Sequence, residues 1–134
     1  MSKKQSLLFV TGTRADFGKI EPLARAAAQN GFEVSFFVTG MHMMDSYGLT
    51  KIEVQRLARL ADPAATSQPP STRQSKIAVH EFLNQRPGDP QDVIFAKTML
   101  GFSDFVVENR PDLVFVHGDR VEAMACALVC ATNY

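Results

Sequence analysis

The sequence has no excess of either charge: Lys plus Arg is 14, Asp plus Glu is 14, and the formal net charge is zero. Nucleic-acid binding through bulk charge needs a basic surplus, and no basic patch with interleaved aromatics is present, so no nucleic-acid partner is expected. Long apolar runs are missing too. No stretch approaches the roughly 20 residues of a membrane span, so no membrane partner is expected. The N-terminal MSKKQS is followed by four apolar residues, too few for a signal-peptide core. There are two cysteines, Cys126 and Cys130. With no CxxC and no His at ligand spacing, they are expected as small core residues in a reducing, cytoplasmic setting, with no metal and no redox cofactor.

Standard nucleotide and hydrolase motifs are also absent. A P-loop needs GxxxxGK followed by Ser or Thr; the interval from Gly12 to Gly18 is one residue too long, and Ile20 follows Lys19. The dinucleotide fingerprint fails because Arg14 stands where its second glycine belongs. No zinc-ligand spacing and no GxSxG elbow occurs. ATPase, NAD-dehydrogenase and serine-hydrolase readings therefore drop.

What is present is a recurring unit, within 134 residues that suffice for one domain with a core. Residues 7–10 (LLFV) suit a strand buried on both faces. A polar turn follows, TGTRAD, then helical spacing from about 19 to 29, with Ile20, Leu23, Ala24 and Ala27 on one face. Pro22 suits only the start of that helix, and Asn30-Gly31 ends it. Residues 33–38 (EVSFFV) read as a second buried strand, parallel to the first through a right-handed crossover. Met43, Met44 and Tyr47 suggest a short helix broken by Gly48.

Further on, a helix over 51–61 carries Ile52, Val54, Leu57 and Leu60. Residues 62–76, rich in Pro, Ser and Thr, read as a flexible loop or insertion. A short strand is expected at 77–83. Asp89 is expected to cap a helix with Pro90 at its first position; that helix must stop before Pro111. Residues 112–116 are the third convincing strand. A helix over 121–132 follows, with Ala123, Ala127 and Cys130 small enough to pack on the sheet.

Three strand exits thus converge on one sheet edge: TGTRADFGK, TGMH and HGDR. Ligands in open α/β sheets settle at that edge, where helix N-termini point. Arg14 and Lys19 beside free backbone N–H groups suit a phosphate. Asp16 and Asp119 have a plainer reading, as helix caps; for Asp16 capping has the edge, whereas His117 and Arg120 around Asp119 favour an acid/base role there. His42 stands at even odds between a structural and a catalytic residue.

These blocks, VTGTRADFGKIEPL, VTGMHMMDSYGLT, NQRPGDP and PDLVFVHGDRVEAMACAL, together resemble the N-terminal half of UDP-N-acetylglucosamine 2-epimerases. The nearest likeness is to the hydrolysing branch, since Ala15-Asp16 and Arg120 stand where the non-hydrolysing branch shows Pro-Glu and Thr. The resemblance implies an α/β fold: a Rossmann-like, mainly parallel sheet flanked by helices, one half of a two-domain B-type glycosyltransferase-like fold. It implies elimination of UDP to a 2-acetamidoglucal, then water addition with inversion at C2, giving N-acetylmannosamine for sialic-acid-type sugars. By motif, Asp119 and His42 would be catalytic, and Arg14, Asp16, Lys19, His117 and Arg120 would bind the UDP-sugar. No metal or cofactor is implied, and family members are usually dimers. The family's UDP-binding C-terminal domain lies beyond residue 134, so the chain alone is expected not to turn over substrate. The readings from other classes are a non-catalytic nucleotide-sugar or phosphate-binding module, and an interaction half that needs a partner chain.

Overall fold

A four-stranded, wholly parallel sheet runs in the order β3-β2-β1-β4. The computed structural model describes residues 3–62 and 76–133. The elements follow in chain order as β1 (Ser6–Thr11), α1 (Arg14–Gln29), β2 (Glu33–Val38), two short 3-10 turns (Gly40–Met43 and Asp45–Tyr47), α2 (Lys51–Ala61), β3 (Ile77–Glu81), α3 (Gln91–Asn109), β4 (Leu113–Val116) and α4 (Val121–Asn133). The loop or insertion expected at 62–76 lies outside the described residues except for its ends, where Lys76 Nζ stands 3.7 Å from Asp62 Oδ2.

β1 is continuously apolar because both its faces are covered, as is the end of β2, whereas β3 and β4 at the sheet edges are only partly buried. Leu7 and Phe9 of β1 join Phe36 and Val38 of β2 beneath α1 and α2. Leu8, Val10 and Phe37 face the other way, against Phe102 and Val106 of α3 and Cys126 and Val129 of α4. Phe9 and Phe36 are fully buried, each stabilising the fold by about 1.5–3 kcal/mol through area removed from water. Phe9 also stacks on Phe115, with ring centroids 4.6 Å apart. This is a Rossmann-like arrangement, as the sequence implied.

Several local expectations shift. Helix α1 begins at Arg14, not near Lys19, because Thr13 and Asp16 form a capping box. Pro22 therefore lies in the helix interior, where it can donate no bond to the Gly18 carbonyl. At α3 the cap residue is Pro90 itself. Asp89 instead accepts from the Arg86 N–H and from Lys97 Nζ, both at 2.8 Å. The helices also bury narrower faces than their periodicity suggests. Leu23, Ile52, Leu60 and Leu100 are exposed. On α4 the buried face is Glu122, Ala125, Cys126 and Val129, rather than Ala123, Ala127 and Cys130.

The topology fixes where a ligand can sit. From β1 the chain winds outward through β2 to β3, then α3 carries it back across to β4 on the far side of β1. The winding direction reverses between β1 and β4. Beyond the carboxyl ends of two such strands the following loops part and leave a crevice.

Candidate active site

A hollow of ≈ 160 Å³ occupies that crevice, lined by the exits of β1 and β4. Lys19, Asp16, His117, Asp119 and Arg120 all border it, so five of the seven expected site residues come together. His117 and Asp119 are exposed, as is Lys19. Gly118 lets the β4 exit turn sharply: its φ of +121° is one that side-chain-bearing residues rarely adopt.

The two carboxylates from the motifs differ in occupation. Asp16 is fully engaged. Its Oδ1 accepts from the Thr11 hydroxyl at 2.5 Å, and its carboxylate takes the Gly12 and Thr13 N–H groups at 3.2 Å. Thr13 Oγ1 returns the favour to the Asp16 N–H at 3.2 Å. This corrects the sequence reading that the Gly12-Thr13 turn offers free backbone donors to a phosphate: Asp16 already holds them, and it holds a negative charge there. Asp119, by contrast, makes no hydrogen bond or ion pair among the described residues. It is free to meet a substrate.

Two expected residues lie apart from the hollow. The guanidinium of Arg14 turns to α2, with Nε 3.1 Å from Glu53 Oε1. His42 is fully buried one layer below. Its Nε2 is 2.8 Å from Thr11 Oγ1 and its Nδ1 is 2.8 Å from Thr50 Oγ1. The Thr11 hydroxyl donates its one proton to Asp16, so it can only accept from His42; the neutral ring therefore carries its proton on Nε2, and Nδ1 accepts from Thr50. His42 thus reaches the hollow only through Thr11 and Asp16.

Burial holds the pKa of His42 below its usual 6.5, against the pull of the Asp16 and Glu53 charges. Burial likewise lowers His80, which packs edge-on against Phe105. The unfolded chain then binds protons that the folded chain refuses, so stability is complete above about pH 6.5 and declines as the pH falls below it. In urea titrations between pH 7.5 and 5.5 (about one unit either side of the free His pKa), the midpoint should fall on acidification. His42→Gln should flatten that slope. An unchanged slope would show that His42 is not held neutral.

One residue of the hollow was not visible as a site residue in the sequence. Glu122 is only 2% exposed and lines the cavity wall. Its Oε2 is 3.2 Å from Arg120 Nε and its Oε1 is 3.4 Å from Asn84 Nδ2. The fully buried Asn84 also bonds the Gly40 N–H at 3.1 Å and Thr98 Oγ1 at 2.9 Å. The available signal was that Glu122 is the sole charged residue of the apolar helix VEAMACALVCATN.

Among the described residues no group of three or more His, Cys, Asp or Glu side chains could hold a metal ion. No described helix is long and apolar enough to cross a membrane.

Known proteins resemble this chain in the same direction. Residues 24–134 match the family profile described as UDP-N-acetylglucosamine 2-epimerase. A UDP-N-acetylglucosamine 2-epimerase of Neisseria meningitidis serogroup B is 39% identical over 128 residues, covering 95% of this chain and 29% of that protein. A hydrolysing UDP-N,N'-diacetylbacillosamine 2-epimerase of Legionella pneumophila is 29% identical over 133 residues, covering 92% of this chain and 29% of that protein. The crystal structure of a UDP-N-acetylglucosamine 2-epimerase superposes with a TM-score of 0.66 at 18% identity, covering 98% of this chain and 30% of the other, a likeness of fold. The chain spans about three tenths of the length of the curated relatives it matches.

Proposed function

Since the chain belongs to the UDP-N-acetylglucosamine 2-epimerase family, we propose that it forms the N-terminal wall of a hydrolysing UDP-N-acetylglucosamine 2-epimerase active site. The observation that carries this reading is the crevice between β1 and β4, where an uncommitted carboxylate, Asp119, stands with Lys19, His117 and Arg120 around one hollow. The cations suit the diphosphate of a sugar nucleotide. Asp119 suits proton transfer at sugar C2. In the proposed reaction a base removes the C2 proton, the C1–O bond breaks and UDP leaves with the bonding pair, giving a 2-acetamidoglucal. Water then adds to C1 while C2 takes a proton on the opposite face, yielding N-acetylmannosamine. His42 acts here through its relay to Asp16, as a buried support and not as a group touching the sugar. The hydrolysing branch is favoured by Arg120 in HGDR and by the Legionella relative, whose own reaction is hydrolysing.

The test is product analysis in D₂O, using the protein with whatever sequence its gene places after Tyr134. Free N-acetylmannosamine deuterated at C2, with equimolar UDP, is the expected result. An equilibrium mixture of two intact UDP-sugars would place the chain in the non-hydrolysing branch. The 134 residues by themselves should release no UDP, because a single wall leaves the sugar in water; release at the full protein's rate would contradict this.

A further inference from the structure

Arg120 is held unusually for a ligand-binding arginine. Its partner is the buried carboxylate of Glu122, two residues on, and the contact is through Nε alone, at 3.2 Å. No protein partner engages its two terminal nitrogens among the described residues. Its side chain is 32% exposed. It borders both the hollow at the β1 and β4 exits and a second depression lined by Met41, Met44 and Arg86. A long guanidinium side chain on such a ridge has several rotamers open to it, and choosing one costs entropy at the moment a ligand binds.

Glu122 is itself fixed from several directions. Asn84 at the β3 exit approaches Oε1 at 3.4 Å. At Gly40 on the β2 exit, a Cβ atom would come within 3.0 Å of the same oxygen. Gly12 on the β1 exit lies against the Glu122 side chain, where a Cβ would stand 3.8 Å from the Glu122 Cβ. One carboxylate on α4 therefore meets the exits of the other three strands. The two glycines leave room for the carboxylate, while its polar partners are Arg120 Nε at 3.2 Å and the Asn84 amide at 3.4 Å. The carboxylate also places a negative charge beside a site read as binding an anion, a cost that charge complementarity alone would not incur.

We infer that Glu122 is a positioning residue: it holds the Arg120 guanidinium by Nε so that both terminal nitrogens present a fixed fork to the sugar-nucleotide diphosphate. This deepens the reading proposed above and rests on it. The fork geometry is what makes arginine, and not lysine, suited to a bidentate grip on phosphate oxygens.

The inference has a sign that simple electrostatics does not share. Removing the Glu122 charge makes the hollow more positive, so a Coulomb account expects Glu122→Gln to bind UDP more tightly. The positioning account expects weaker binding, by about 3- to 10-fold, because the neutral amide holds Nε less firmly. In an Arg120→Ala background the same substitution should have no further effect.

Two measurements decide it. The first uses no ligand: in ¹⁵N-labelled chain, the Arg120 Nε–H resonance should exchange slowly with water, and Glu122→Gln should speed that exchange. Exchange as fast as in the exposed Arg56 would overturn the inference. The second is a UDP titration of wild type, E122Q, R120A and E122Q/R120A, each carrying whatever sequence the gene places after Tyr134. Weaker binding in E122Q that disappears in the R120A background supports the inference. Tighter or unchanged binding in E122Q, or effects that simply add, overturns it. Should wild type bind no UDP, the sugar-nucleotide reading of the hollow fails, while the exchange measurement still decides whether Glu122 holds Arg120.

Discussion

In the protein carrying whatever sequence its gene places after Tyr134, Asp119→Asn is expected to reduce the proposed turnover of UDP-N-acetylglucosamine by roughly 10²–10⁴-fold, with KM changed by a factor of about three or less. The amide has the same shape and can still hydrogen-bond to a sugar hydroxyl, but it cannot take up a proton at neutral pH. Asp119 is exposed and contributes no hydrogen bond or ion pair to the fold among the described residues, so the variant should melt within a degree or two of wild type (a surface change worth about 0.5 kcal/mol or less). Asp16→Asn supplies the contrast. There the carboxylate closes the capping box of α1, so that variant should lose stability, by about 1 kcal/mol, before it loses chemistry. Steady-state kinetics beside thermal melts separate the two. Equal loss of turnover in both, at equal stability, would mean that the two carboxylates share the proton transfer.

The second large effect is on folding. Gly40→Ala should destabilise the protein by about 2–4 kcal/mol, lowering the melting temperature on the order of 10 °C. Gly40 has φ +63°, and a Cβ there would stand 2.8 Å from the Gly12 carbonyl oxygen, 3.2 Å from the Gly12 Cα and 3.0 Å from Glu122 Oε1. The first two obstacles are backbone, which cannot rotate aside. The same carbonyl accepts the Met41 N–H at 2.8 Å, so movement there breaks the link between the β1 and β2 exits. Gly18→Ala is the control. Nothing lies within 4 Å of a Cβ at Gly18 on the exposed side of α1, and alanine's better helix propensity should raise stability by about 0.5–1 kcal/mol. Denaturant unfolding of both variants checks the pair. A Gly40→Ala protein as stable as wild type would show that the strand exits are not packed as described.

The strands β1 and β2 were legible because LLFV and EVSFFV are short, rich in β-branched and aromatic residues, and bounded by turn residues, as a strand in a covered sheet requires. The hollow was legible for the same reason: polar, glycine-containing turns after such runs have to sit at the sheet's carboxyl edge. What periodicity could not supply was orientation. Leu23 and Leu60 share the helical spacing of the core residues, yet the sheet reaches only part of each helix and leaves them exposed. The capping reading favoured for Asp16 holds, with Asp16 as the second member of a Thr-x-x-Asp capping box and Thr13 as the cap itself; the sequence did not show that this box also takes up the Gly12 and Thr13 N–H groups. His42 read equally well as ligand or support; only its burial between two threonine hydroxyls shows it one layer from the hollow. Glu122 escaped because its role depends on Asn84 and Gly40, distant in sequence and adjacent only after folding.

All of this converges on whether the crevice between β1 and β4 receives the reacting sugar. A crystal structure of the Asp119→Asn protein, carrying whatever sequence its gene encodes after Tyr134 and soaked with UDP-N-acetylglucosamine, answers that directly. The account predicts intact sugar nucleotide with its ring C2 facing residue 119 and its diphosphate against Lys19 and Arg120. Sugar nucleotide bound elsewhere, with residue 119 facing only solvent, would contradict it.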